Sequence, residues 1–94
     1  MPRSRLERIR ECIRRCQYDM TAHAMEEMAE ELLDILDVES AILTGEITRT
    51  EKDDPQGTKY SVAGLGADSR TLVGAVGRFV ESDRFLIITV YEMT

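Results

Sequence analysis

The hydrophobic pattern of this chain changes once, close to Gly45. Before that residue, apolar side chains recur at steps of three and four, the spacing of one face of an amphipathic helix. After it come short segments, separated by turn residues, in which apolar and polar residues alternate or apolar residues follow one another. Both patterns are typical of β-strands. Helices followed by strands predict an α+β domain with the helices packed on one face of a C-terminal antiparallel sheet. With 94 residues, we expect a single domain, 1–94, with one modest core.

Three helices are predicted in the first part of the chain. Capping residues set their starts, and a glycine is expected just past the end of the last one. A break in the apolar pattern at residues 17–20 separates the first two helices. The predicted helices are 3–16, a second one capped by Thr21 or Asp19, and 38–44 with Asp37 as cap and Gly45 beyond its end.

Four strands are predicted to follow in meander order, because short turns at 53–57, 66–68 and 81–83 connect them. The apolar run at 85–88 is typical of a central strand covered on both faces. The strands begin at Glu46, Lys59, Arg70 and Arg84. The residues expected to share the core are Leu6, Ile9, Ile13, Met25, Met28, Leu32, Ile42, Ile87 and Val90.

The two cysteines lie four residues apart, which places Cys12 and Cys16 on one face of the first helix. With no further cysteine, a disulfide framework is excluded. A zinc site that includes His23 would still need a fourth ligand, and none is evident. We therefore expect reduced core cysteines, with no metal and no other cofactor.

The net charge of −6 argues against a protein that holds nucleic acid by overall attraction. Half of the twelve lysines and arginines fall within residues 3–15, whereas acidic residues crowd 26–39. Either these two segments neutralise one another or the first helix presents a functional basic face. There is no apolar run long enough to span a membrane and no signal peptide, so the expected location is the cytoplasm.

The single histidine, His23, stands where the second helix should begin. Histidine is the side chain that titrates near neutrality, so His23 is the first candidate for acid–base chemistry. On an ideal helix it points away from the apolar stripe, toward Glu26, Glu27 and Glu30. We expect a ring that is at least partly exposed; the alternative is an ordinary surface or core histidine.

Several short motifs occur in a fixed order along the chain. They are Thr21-x-His23-Ala24-x-Glu26-x-Met28-x-Glu30, Asp37-Val38-Glu39-x-Ala41-Ile42-Leu43-x-Gly45-Glu46-Ile47, Asp53-Asp54-Pro55, Tyr60, Arg70 and Ile87-Ile88-Thr89-Val90-Tyr91-Glu92. From about Ile9 to Glu92, this succession resembles a widespread bacterial family of small domains of unknown function, allied to the barnase/RelE-like ribonuclease toxins. The resemblance implies a barnase/RelE-like fold and a metal-independent ribonuclease of a toxin–antitoxin system, with RNA as substrate and an antitoxin as protein partner.

Cleavage of RNA without a metal needs a base, an acid and cations around one phosphate. His23 is the candidate base or acid, Arg70 the cation, and Tyr91 a donor. At Thr21, the backbone N–H groups of the helix start can bind a phosphate. Tyr60 is a candidate hydrogen-bond donor or a platform on which a base can stack. For this chemistry His23, Arg70 and one of the tyrosines should lie within roughly 10 Å of one another.

Three substitutions depart from the resembled family, which usually has arginine at Glu27 and Glu31 and often a second histidine at Val73. These substitutions remove groups that would hold or cleave a polyphosphate, and the acidic balance of the chain favours two alternatives. One is a catalytically degenerate binding module whose acidic second helix meets a basic partner. The other is a homodimer, formed through the last strand or first helix, without chemistry. If the candidate side chains lie on opposite faces of the sheet, we expect no catalysis by this chain, and the acidic helix becomes the preferred partner surface.

Overall fold

The computed structural model describes residues 4–81 and 83–93. Arg3 of the predicted first helix and Ser82 of the last predicted turn lie outside these residues. The elements in chain order are α1 (Arg5–Arg14), β1 (Tyr18–Met20), α2 (Ala22–Glu30), α3 (Ile35–Thr44), β2 (Glu46–Glu51), β3 (Lys59–Leu65), β4 (Leu72–Val80) and β5 (Arg84–Met93). None of the described helices is both long and apolar enough to cross a membrane.

The sheet has the strand order β1-β5-β4-β3-β2, and β2 to β5 form the predicted antiparallel meander. The prediction of four strands was wrong in one respect, because β1 pairs with β5 in parallel. Tyr18 lies opposite Phe85 and Met20 opposite Ile87. Three residues are too few to show a strand period, so this strand exists only through its pairing partner. The sheet is therefore five-stranded and mixed.

The helices all pack on one face of the sheet, where a single core forms. Alternate residues of the strands point into it, and Val62, Val73 and Ile87 are completely or almost completely buried. The predicted core is confirmed for most of its members. Those buried are Ile9, Ile13, Ile42, Ile87 and Val90, with Leu6 and Met28 partly buried against them.

Two predicted core residues, Met25 and Leu32, are instead exposed, by 51% and 91%. Because α2 ends at Glu30, Leu32 is not on the helix but just past it. Leu32 has a φ of 58°, and the N–H of Leu33 bonds back to the carbonyl of Met28. This is the Schellman arrangement that ends a helix, here with leucine where glycine is usual.

The end of α1 has the same geometry, with Cys16 at φ 56° and the N–H of Gln17 bonded to the carbonyl of Cys12. Cys12 is buried, as expected, but Cys16 is exposed. The prediction that both thiols belong to the core was therefore wrong for Cys16. The four-residue spacing does not place both thiols on the core because Cys16 has already left the helix.

The third helix begins three residues earlier than predicted. Asp34 is its N-cap and Asp37 its third residue, and each carboxylate accepts a hydrogen bond from the other's backbone N–H. This reciprocal pair is a capping box. Gly45 ends the helix as predicted. The helix end packs tightly against β3, because a Cβ on Gly64 of that strand would overlap the Ala41 carbonyl and the Gly45 backbone.

The last strand was predicted to be covered on both faces, but the described helices cover only one. Ile88 forms a bulge, so that Ile87 and Val90 both point to the core side although they are three residues apart.

The outward side of β3, β4 and β5 is named here the open face. Its residues are Ser61, Ala63, Leu65, Leu72, Gly74, Val76, Arg78, Val80, Arg84, Leu86, Thr89, Tyr91 and Met93.

Candidate functional site

The start of α2 is anchored on the edge of β5. Thr21 is the N-cap, and its hydroxyl accepts a hydrogen bond from the N–H of Ala24. The N–H of Thr21 donates to the carbonyl of Ile87. Because β1 pairs with β5 immediately before this residue, the sheet edge fixes both the position and the direction of the helix. Thr21 is thereby confirmed as the cap, in place of Asp19.

His23 is exposed over 69% of its side chain, as expected. Its Nε2 lies 3.4 Å from Oε1 of Glu27, one helical turn further on. The same Glu27 oxygen accepts a hydrogen bond of 3.1 Å from the N–H of Val90 in β5. The carboxylate is therefore held between strand and imidazole. An exposed imidazole oriented by a fixed carboxylate can exchange a proton with a bound molecule.

Around His23, α2 presents what we call the α2 acidic surface, consisting of Glu26, Glu27, Glu30 and Glu31. A groove lined by His23, Glu27, Glu30, Glu31 and Val90 runs along it. Within residues 4–81 and 83–93, no lysine or arginine forms an ion pair with these four carboxylates. The surface therefore keeps its negative charge.

The arginines of α1 do not neutralise α2. Arg14 pairs with Glu7 and Glu11 of its own helix, at 3.8 and 3.5 Å. Arg10 donates to the carbonyl of Gly45 at 2.7 Å, and Arg8 lies over the ring of Phe79 at 4.3 Å. The alternative in which the two helices neutralise one another is thus not found among the described residues, and several of the α1 arginines form contacts within the fold.

Tyr60 lies on the core side of β3 and is only 7% exposed. Its ring packs edge-to-face with Phe79 at a centroid distance of 5.9 Å. The opposite neighbour in β4 is Gly77. In this position the ring contributes to the core rather than to a surface on which a base can stack.

Tyr91 lies on the open face, opposite Gly74 of β4. A Cβ on Gly74 would overlap the Tyr91 ring, so the ring leans over that glycine toward the middle of the sheet. His23, by contrast, is on the helix side, beside the outer edge of β5. The two candidate side chains therefore lie on different sides of the same strand.

Arg70 belongs to the turn between β3 and β4. Oδ1 of Asp68 accepts hydrogen bonds from the N–H groups of Arg70 and Thr71, and Oδ2 accepts one from the Thr71 hydroxyl. These bonds, first that of the Thr71 hydroxyl and then those of the backbone, lower the pKa of Asp68 to about 2. The turn is thus fixed through its backbone, with the Arg70 side chain exposed.

Of the predicted site residues, the structure brings together only Thr21 and His23. The groove beside His23 is lined by neither Arg70 nor Tyr60 nor Tyr91. Glu27, which orients His23, was named from the sequence among the acidic residues that His23 faces but was not predicted as a site residue, although its spacing of four from His23 is the signal for such a pair. Among the described residues, no group of three or more His, Cys, Asp or Glu side chains is placed to hold a metal ion.

These observations define a small α+β domain with one exposed, carboxylate-oriented histidine at the start of an acidic helix. Residues 20–92 match the family described as a domain of unknown function, DUF4258, and the chain belongs to that family. No curated protein and no solved structure matches the chain.

Proposed function

We propose that this chain is a protein-binding module, related to the toxin-type domains it resembles, whose α2 acidic surface engages a basic partner protein. The observation that carries the proposal is that, among the described residues, no lysine or arginine forms an ion pair with Glu26, Glu27, Glu30 or Glu31. A patch of one sign raises the rate of encounter with a surface of the opposite sign.

The placement of the other candidate residues favours binding over catalysis. Tyr60 is in the core and Tyr91 is on the open face, so neither ring lies beside His23. Carboxylates rather than arginines surround the imidazole, and they repel a phosphate. In this setting Glu27 and Glu31 act as contacts for a lysine or arginine of the partner.

The test uses the protein encoded by the neighbouring reading frame, the natural position of an antitoxin-type partner. Its affinity for the chain is measured by calorimetry with Glu30→Lys/Glu31→Lys and with a matched control, Glu46→Lys/Asp53→Lys, on the opposite side of the domain. We expect a loss of at least about tenfold for the first variant and under about twofold for the second. Absence of binding, or equal losses in both variants, would contradict the proposal.

A metal-independent ribonuclease is the second candidate, and the contact between His23 and Glu27 is what favours it. The imidazole of His23 would take the proton of a 2′-hydroxyl while that oxygen attacks the adjacent phosphorus. A 2′,3′-cyclic phosphate would form as the bond from phosphorus to the 5′-oxygen breaks, and the 5′-oxygen would take back the proton that the imidazole removed. Arg70 and Tyr91, the predicted cation and donor, do not line the groove beside His23, and this separation is the observation that counts against the ribonuclease.

The ribonuclease candidate is tested with a labelled RNA in the presence of EDTA. His23→Ala should lower the cleavage rate by at least about a hundredfold. Met25→Ala, an exposed neighbour on the same helix, should leave the rate unchanged. Since both side chains are exposed, both variants should melt like the wild type. Full activity of His23→Ala, or no cleavage by any form, would contradict this function.

A further inference from the structure

The short strand β1 lies at one edge of the sheet, and among the described residues no strand pairs with its outer side. On its inner side it bonds to β5, where the N–H of Thr21, just past the strand, donates to the carbonyl of Ile87. Successive residues of a strand direct their N–H and C=O groups to opposite sides. Asp19 therefore faces β5 as Thr21 does, whereas the backbone groups of Tyr18 and Met20 point to the free edge.

A groove of about 450 Å³ runs along this free edge. Tyr18 and Met20 pack toward the helices, while Asp19 points to the other face of the sheet and pairs with Arg84. Since all three strand residues line the groove, it must border the edge of β1 itself, where side chains of both faces meet. The other lining residues are Cys16, Met25, Met28 and Ile35.

Most of the lining side chains are apolar, and three of them are methionines. Met25, on α2, is exposed by 51%. Methionine side chains are flexible and polarizable, so they adapt to apolar side chains of different shapes. Where an extended segment pairs with a sheet edge, its alternate side chains point to the same face and need such pockets. The groove supplies one on the helix side of β1.

The charges beside the groove determine which kind of segment fits. Glu26 and Asp34 are exposed and directly follow or precede a lining residue in sequence, and Glu39 accepts a hydrogen bond from the Tyr18 hydroxyl. Among the described residues, none of these three carboxylates forms an ion pair with lysine or arginine. The groove therefore favours a basic segment over an acidic one, and over a second copy of this chain, whose net charge is −6.

From these observations, we propose that a basic, extended segment of a partner protein adds to the five-stranded sheet beside β1. Its backbone bonds to the outward N–H and C=O groups of Tyr18 and Met20, and its apolar side chains enter the groove between β1 and α2. Addition of a strand to an exposed edge is a general mode of peptide recognition. The inference goes beyond the α2 acidic surface, because the backbone of β1 sets the direction of the partner whether or not that surface binds a protein.

The test uses a synthetic heptapeptide, capped at both ends, in which lysine and valine alternate. Titrated into the full chain labelled with ¹⁵N, it should shift the amide signals of Tyr18 and Met20 with a dissociation constant below about 1 mM, and leave Gly74 and Val76 unchanged. An N-methylated version keeps the charge and the side chains but donates no backbone hydrogen bond. It should bind at least about tenfold more weakly, and so should a version with glutamate in place of lysine.

A pair of variants with similar exposure tests the groove. Met25→Lys places a cation in it and should weaken binding of the basic peptide by at least about tenfold. Leu72→Lys, on the open face at a residue exposed by 47%, should change it by less than about twofold. Because the peptide comparison uses the wild-type chain, it holds even where a variant folds poorly.

Three results would overturn the proposal. They are the absence of saturable shifts up to about 5 mM peptide, equal binding of the N-methylated peptide, and shifts confined to α2. The last of these would mean that the peptide binds to the α2 acidic surface by charge alone. Shifts at Tyr18 and Met20 on dilution of the chain without peptide would show instead that a second copy occupies the edge, which also contradicts a basic partner.

Discussion

Tyr91 of β5 lies across Gly74 of β4, and the ring occupies the space that any other residue at position 74 would need for its Cβ. Gly74→Ala should therefore displace the ring and lower the free energy of unfolding by about 1–3 kcal/mol. In a Tyr91→Ala background, the same change should be close to neutral, since the obstacle is gone. Urea titration of the four proteins measures this coupling; additive effects would show that ring and glycine are not in contact.

Ile87 is completely buried in β5, and its backbone carbonyl also accepts the hydrogen bond from Thr21. Ile87→Ala leaves a cavity beneath α2 and should cost about 2–5 kcal/mol in denaturant titration. Leu36→Ala, on the exposed surface of α3, is the control and should cost no more than about 0.5 kcal/mol. A loss well below about 1 kcal/mol for Ile87→Ala would place this side chain at the periphery of the core.

Leu32 combines a left-handed backbone with an almost fully exposed side chain. Glycine adopts that conformation without steric cost, so Leu32→Gly should raise the free energy of unfolding by about 0.5–1 kcal/mol. The control is Ala29→Gly, an exposed site inside α2, where glycine should instead cost about 0.5–1 kcal/mol. Thermal unfolding distinguishes the two, and a loss of stability in Leu32→Gly would contradict the assigned helix end.

The pKa of Asp68 is lowered to about 2 by the Thr71 hydroxyl and two backbone N–H groups. The pKa of this group in the unfolded chain is about 3.9. Its contribution to stability is therefore present above pH 4 and is lost as the pH falls through 2. Asp68→Asn should make the stability less dependent on pH between about 4 and 2, as followed by urea titration. Asp53→Asn, in the loop after β2, should retain the wild-type dependence.

The amino-acid sequence by itself determined the fold class and most of the elements. The change of hydrophobic period near Gly45 marks the boundary between helix and sheet because burial of one face imposes a period of 3.6 on helices and 2 on strands. The caps at Thr21 and Gly45 were also predicted from the sequence, because a cap satisfies hydrogen bonds only within its own turn. The outward direction of His23 followed from its position on the helix.

Tertiary structure alone decided the rest. The strand Tyr18–Met20 is formed by pairing with residues of β5 that lie 67 positions further along the chain, and such a distant pairing leaves no local pattern. Leu32 is exposed, and not in the core as predicted, because the helix ends before it. Whether Tyr60, Tyr91 and Arg70 meet His23 depends on strand register and on the bulge at Ile88, because each one-residue shift moves a side chain to the other face of the sheet.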